Sequence, residues 1–438
     1  MNTEAEPLRH RIIFRFYFPL ALSWIFMAIE SPISVGVLSR LPQPELSTAA
    51  FFIMMSLALW IESPVIDFLS TSTTLAKNRD NFTVLTKFVL WIVGLVTALH
   101  ALVAFTPLFD WIAVDLMGVP ENVALAAKPG FQIMTLWSAF IGWRRFLQGV
   151  LIRFGATKRI GFGTFVRVSA MTVTAVLLYF LTGLRGVEIA AISLMASVAS
   201  EAVYIHIAAA SIVRNRLDLA VDSPSDVPLT MRKLFSFHAP LTATTTVMML
   251  GSPLVAWALA KAASPELVLA GWQVSSTLAW LCRTVVFALP EVVITLYRDE
   301  QSADKLRRFC IGVGLFTSGA LVLLAASRLD VLFFTGVLKA SPSVAEVAHT
   351  AFFAVAALPL IGALQSYVRG MLTAHHLTVA RFTAVMVAMA ALALFLFFTI
   401  AIGLAGVVSA AMALTAAMLA ELLVLAASFR RAQRSYAG

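Results

Sequence analysis

Charge is scarce in this sequence, and so are cysteines. Asp, Glu, Lys and Arg make up 13% of the 438 residues, where a soluble domain carries about 25%. Two cysteines, Cys282 and Cys310, exclude a disulfide framework and a zinc ligand set. No P-loop, H-E-x-x-H or G-x-S-x-G occurs, which removes the main signatures of nucleotide, metalloprotease and acyl-transfer chemistry. The GFG at 161–163 is too short to count as a phosphate loop, and His375-His376 has no further ligands nearby in sequence, so it reads as a surface pair. A metal site and a bound cofactor are not expected.

What is present is apolar: 60% of residues are hydrophobic and the mean hydropathy is +0.90. Crossing a bilayer takes about 20 apolar residues per helix. Twelve windows qualify, near 12–38, 46–73, 84–106, 127–151, 160–182, 187–212, 233–260, 266–296, 306–327, 345–373, 377–402 and 405–429. They are too long and continuously apolar for the strands of a barrel. The first contains Arg11 and Arg15 and is too long for a cleaved signal peptide.

The net charge of +9 follows the loops. With the N-terminus inside, 21 of the 32 Lys and Arg fall at inner ends and six at outer ends, while Arg144, Arg145, Arg167, Arg283 and Arg369 lie within windows. That asymmetry is the positive-inside rule. It predicts a multi-pass protein of the inner (plasma) membrane with both termini cytoplasmic, and no nucleic-acid partner.

A shift of 221 residues lays window 1 over window 7. Arg11, Phe14, Phe16, Pro19, Leu20, Met27, Ser31, Pro32 and Leu38 match Arg232, Phe235, Phe237, Pro240, Leu241, Met248, Ser252, Pro253 and Leu259. The register returns at Gly149, Leu151 and Thr157 against Gly370, Leu372 and Thr378, and at a shift of 220 Glu201 meets Glu421. The expectation is an all-α membrane protein of two pseudo-symmetric six-helix lobes, 1–215 and 231–438, joined by a cytoplasmic linker at 216–230. Six helices per copy make these parallel repeats, an arrangement that sets a substrate site between two halves working by alternating access. Pro19, Pro32, Pro240 and Pro253 each remove a helix hydrogen bond, so windows 1 and 7 are expected to kink towards protein or a wet cavity.

The helix-7 start TMRKLFSFHAPL (230–241), with Phe18-Pro19-Leu20, Glu30, Pro64-x-x-Asp67-Phe68, Asn78-Arg79-Asp80, Val119-x-Glu121-x-Val123 and Gly370-x-Leu372, resembles the progressive ankylosis (ANK) transporter family. That family belongs to the multidrug/oligosaccharidyl-lipid/polysaccharide (MOP) flippases, with the multidrug and toxin extrusion (MATE) proteins. The resemblance implies a MATE-like, two-lobed exporter of a small molecule: an anion such as citrate, a nucleotide or pyrophosphate in the ANK branch. Organic cations driven by H+ or Na+ are the MATE alternative, and lipid-linked precursors are that of other branches. Windows 2, 8 and 10 depart from these relatives. A polytopic membrane enzyme is the remote alternative, disfavoured by the duplication.

Ionisable residues at membrane depth are functional candidates by default. Glu30, Asp67 and Glu62 are the acidic candidates for coupling or gating, by proton exchange or as part of a Na+ site. Glu62 and Asp67, five apart, do not share a helix face. Glu30 has no counterpart: the matching position is Gly251. Arg144 and Gln148 are four apart on one face, and Gln365 and Arg369 repeat the pair in swapped order. Two guanidiniums and two amides suit a phosphate or carboxylate, with Arg283 and His238 adding to the field. Against this stands the reading of each as a buried ion pair or a snorkelling side chain. The partners expected are a small-molecule substrate and the bilayer, for a protein acting as a monomer.

Overall fold

The computed structural model describes residues 8–217, 229–374, 379–404 and 406–437. Most of the 216–230 linker and the His375-His376 pair lie outside the described residues. Those described form helices and connecting turns, with no strand.

Twelve helices follow the twelve windows. They are α1 (His10–Leu38), α2 (Pro44–Leu75), α3 (Arg79–Phe105), α4 (121–153), α5 (Thr157–Leu181) and α6 (Gly186–Asn215). The second set is α7 (Met231–Leu259), α8 (Pro265–Leu296), α9 (Glu300–Ala326), α10 (342–374), α11 (Val379–Ala401) and α12 (Val407–Ala437). Ten of them are long and apolar enough to cross a membrane as they stand. The pieces of α10 qualify as a pair bent by 41°. In α4 the 3-10 turn Met134–Leu136 separates pieces of 13 and 17 residues.

The duplication is carried into the backbone almost residue for residue. His10–Ala28 and Glu30–Leu38 recur as Met231–Met249 and Gly251–Leu259, and Phe68–Leu75 as Leu289–Leu296. Arg79–Phe105 recurs as Glu300–Ala326, Glu121–Ile133 as Pro342–Ala354, and Trp137–Arg153 as Leu358–Ala374. Even the π-helical turns are paired, Trp111–Leu116 with Phe333–Val337. The caps match as well: the Asn78 side chain accepts from Asn81 N at 2.8 Å, and Asp299 accepts from Ser302 N at 2.7 Å. Each satisfies one of the amides that a helix start leaves without a partner.

The prolines act unequally. α1 breaks at Ile29 and α7 at Leu250, each three residues ahead of Pro32 or Pro253, where the missing amide interrupts the ladder. Pro19 and Pro240 sit inside unbroken helix.

By contacts the chain forms two units, one of Met1–Pro32 with Lys261–Gly438 and one of Ile33–Ala260. The first part of α1 therefore packs in a unit with α8–α12, and α7 in a unit with α2–α6, so the units do not coincide with the chain halves. In the first unit Ile13 and Tyr17 of α1 join a core with Leu289, Val292, Leu306 and Cys310. Large apolar side chains point outward elsewhere, Phe180 at 75% exposure and Phe316 at 79%, as lipid contact requires.

Candidate functional site

The polar residues inside each unit fall into two classes: those present in both copies and those present in one. The duplicated class is built on a glutamate. In the Ile33–Ala260 unit, buried Glu201 of α6 pairs with Arg144 of α4, accepts from Gln148 Nε2 at 3.0 Å, and lies 3.7 Å from Arg167 of α5. In the other unit, Glu421 of α12 accepts from Arg369 Nε at 3.1 Å and from Gln365 Nε2 at 3.2 Å. The helical spacing of four puts each Arg and Gln on one face, and the partner helix supplies the carboxylate both reach. Of the two readings open from the sequence, an anion site and a buried ion pair, the first requires these four side chains to be free for a ligand. In the structure each pair holds an internal glutamate instead, because a lone guanidinium at membrane depth is costly unless paired.

A second duplicated element joins α1 and α7 to their new neighbours. Tyr17 Oη donates to Val285 O at 3.1 Å, and His238 Nε2 lies 3.0 Å from Pro64 O. Tyr17 and His238 are corresponding positions, as are Val285 and Pro64. Even the ring beneath is shared: Tyr17 meets Phe309 edge-on at 5.2 Å and His238 meets Phe88 edge-on at 5.4 Å. The carbonyls lie where α2 and α8 are interrupted, at Asp67 and in the 3-10 turn Thr284–Ala288, so a side chain from outside satisfies what the broken ladder leaves. His238 also contacts Thr71 Oγ1 at 2.9 Å through Nδ1 and interacts electrostatically with Asp67. It was expected to contribute to an anion field; it ties α7 to α2. Beside it lies a cavity of about 340 Å³ lined by Pro64, Ile92, Phe235, Thr242 and Thr246.

The unduplicated class is clustered too. Glu62 of α2 is buried and accepts from Trp137 Nε1 of α4, a partner sequence reasoning missed because a lone tryptophan carries no motif. Glu62 also interacts electrostatically with Arg144, Arg145 and Arg167. Position 62 corresponds to Arg283, which interacts with Arg369 and lies 5.8 Å from the centre of the Phe287 ring. Glu30 is buried at the start of the second segment of α1, beside Ser31, whose hydroxyl lies 3.0 Å from that of Thr277. Asp67 marks the junction within α2.

No protein-family model matches the chain, and no curated protein matches it. Solved structures do. An inward-facing multidrug resistance MATE family transporter of the MOP superfamily superposes with a TM-score of 0.71 at 12% identity, covering 95% of this chain and 97% of that one. The fold is that of the MATE transporters. The lipid II flippase MurJ, in an inward closed conformation, gives 0.72 at 13% identity over 93% of this chain and 86% of its own. A MOP superfamily transporter from Pyrococcus furiosus, whose binding pocket is described as having reverse polarity, gives 0.60 at 13% identity, covering 97% and 96%. Two further corresponding residues were invisible as motifs: Lys128, whose Nζ lies 2.6 Å from Asp110, and His349, 2.7 Å from buried Asp330.

Proposed function

We propose that this protein is a secondary exporter working by alternating access and moving a small organic or phosphorylated anion, of the citrate, nucleotide or pyrophosphate kind, out of the cytoplasm. The observation that supports this is an excess of guanidinium over carboxylate within the Arg–Glu cluster of each unit. Arg144, Arg145 and Arg167 interact with Glu62 and Glu201 in one, and Arg283 and Arg369 accompany Glu421 in the other. Organic cations would favour the opposite balance, because like charges at low dielectric repel strongly. The likeness to MOP-superfamily transporters and to a lipid II flippase agrees with export, and the resemblance of short motifs to the ANK family agrees with an anionic solute. Glu30 and Asp67 serve coupling to H+ or Na+, with Glu62 as gate, while Arg144 with Gln148 and Arg369 with Gln365 each hold the glutamate of their own unit. The protein acts as a monomer in the inner membrane with both termini inside.

Proteoliposomes loaded with citrate, ATP, pyrophosphate or cationic dyes, with and without proton or sodium gradients, test the reading. Efflux of at least one anion supports it. Transport of the dyes alone moves the protein to the organic-cation exporters.

A further inference from the structure

Arg144 and Arg145 are neighbours on α4, but they have different surroundings. Arg144 pairs with Glu201. Arg145 carries a buried Nε with no hydrogen-bond partner among the described residues, although Glu62, Glu201, Arg144 and Arg167 all act on it electrostatically. With every group ionised, three guanidiniums face two carboxylates, and one positive charge is left over. An uncompensated guanidinium inside a membrane-spanning unit costs several kcal/mol unless something balances it.

The duplication separates fold from function here. Arg144, Gln148 and Glu201 recur in the second copy, so they belong to the architecture. Arg145 does not recur: its counterpart is Ser366, and that of Arg167 is Ala388. Glu62, the other unduplicated member, already accepts from Trp137. The third guanidinium therefore has no counterpart in the second copy, and the geometry centres it on Arg145, whose buried Nε has no hydrogen-bond partner among the described residues and which, unlike Arg144 and Arg167, forms no ion pair with Glu201.

We propose that Arg145 is an anion-binding residue of this transporter, meeting a carboxylate or phosphate group with its planar fork while Arg144 and Glu201 hold α4 against α6. A guanidinium matches either group through two parallel N–H···O bonds, and the adjacent cationic Arg167 strengthens the field. The inference rests on the anion-exporter reading and names the residue that touches the solute. The group bound belongs either to a free solute or to a lipid headgroup, since both present the same oxygens.

The test uses the full-length protein in phosphatidylcholine nanodiscs, titrated with citrate and with inorganic pyrophosphate by calorimetry, and again in discs containing phosphatidylglycerol. Wild type is expected to bind at least one probe. Arg145→Gln is expected to weaken that binding by about tenfold or more, the worth of one charge-assisted hydrogen bond, with Arg145→Lys in between. Binding lost in the phosphatidylglycerol discs, with the same dependence on Arg145 in phosphatidylcholine, supports the site and assigns it to a headgroup. No probe binding by wild type in either disc, or an unchanged Kd in a folded Arg145→Gln, overturns the inference. Should the glutamine variant not fold, Arg145→Lys decides: a weakened Kd supports the site and an unchanged one overturns it. Anion efflux that Arg145→Gln leaves intact sinks this inference but keeps the exporter reading. Arg145-dependent binding without any efflux sinks the exporter reading instead.

Discussion

Removing one member of a buried ion pair strands the other in a medium that cannot solvate it. Arg144 and Glu201 are the most enclosed pair here, with side-chain exposures of 4% and 1%. Arg144→Gln or Glu201→Gln should cost roughly 3–5 kcal/mol of stability, seen as a large drop in melting temperature in detergent. Arg369→Gln should cost less, because that pair is less enclosed, with side-chain exposures of 28% for Arg369 and 9% for Glu421. Replacing Arg144 and Glu201 together by Met and Leu should recover much of the loss, since an apolar pair leaves no stranded charge; equal damage from the double and single variants would contradict a structural role. Glu30 predicts differently. It is buried, lies at the break in α1, and has glycine at its counterpart, so the fold needs the break twice but this carboxylate once. Glu30→Gln should fold normally and change the pH or sodium dependence of efflux. A variant with wild-type dependence on both would return Glu30 to the scaffold.

Helices cross closely where glycine permits it, and the matched glycines of the repeat show why they were retained. A Cβ on Gly149 would overlap Ser72 Oγ and lie 2.5 Å from Leu69 O on α2; one on Gly370 would lie 2.7 Å from Val293 on α8. Ser72 uses that proximity to donate to Phe146 O at 2.8 Å. Gly149→Val should therefore separate α2 from α4 and lower stability by about 1–3 kcal/mol, whereas the same change at Gly161, which has nothing within 4 Å, should be nearly silent. The tie between α7 and α2 makes a sharper test. If His238 serves α7 as Tyr17 serves α1, His238→Tyr should preserve the bond to Pro64 O and the melting temperature. His238→Leu leaves that carbonyl unsatisfied and should lose about 1–3 kcal/mol. A tyrosine variant as unstable as the leucine variant would show that the Thr71 contact, which only the imidazole makes, carries the tie.

At the scale of the whole chain, the repeat was legible because residues with one geometric use, such as Pro32, Gly149 and Glu201, survive where apolar residues exchange freely. The helix count was legible from hydropathy alone. The pairing of charges was not: Arg144 and Glu201 are 57 residues apart, and a spacing of four fixes which side chains share a face but not what that face meets. Nor did order along the chain reveal that Met1–Pro32 joins the unit of Lys261–Gly438 while α7 joins that of Ile33–Ala260, since packing depends on which apolar stripe completes which core. Ile13, Tyr17 and Ala21 of α1, for instance, join a core with residues of α8, α9 and α10. This exchange has a consequence for assembly. A chain cut between residues 217 and 229 gives two fragments, each lacking one helix of the unit it mainly builds and carrying one that belongs to the other. Each fragment expressed alone should therefore aggregate or be degraded, and the two co-expressed should copurify through a tag on either one. Deleting 1–32 from the first fragment should then destabilise the second, which it does not belong to by sequence. Copurification that survives this deletion, with an unchanged melting temperature, would show that α1 is not part of that unit's core.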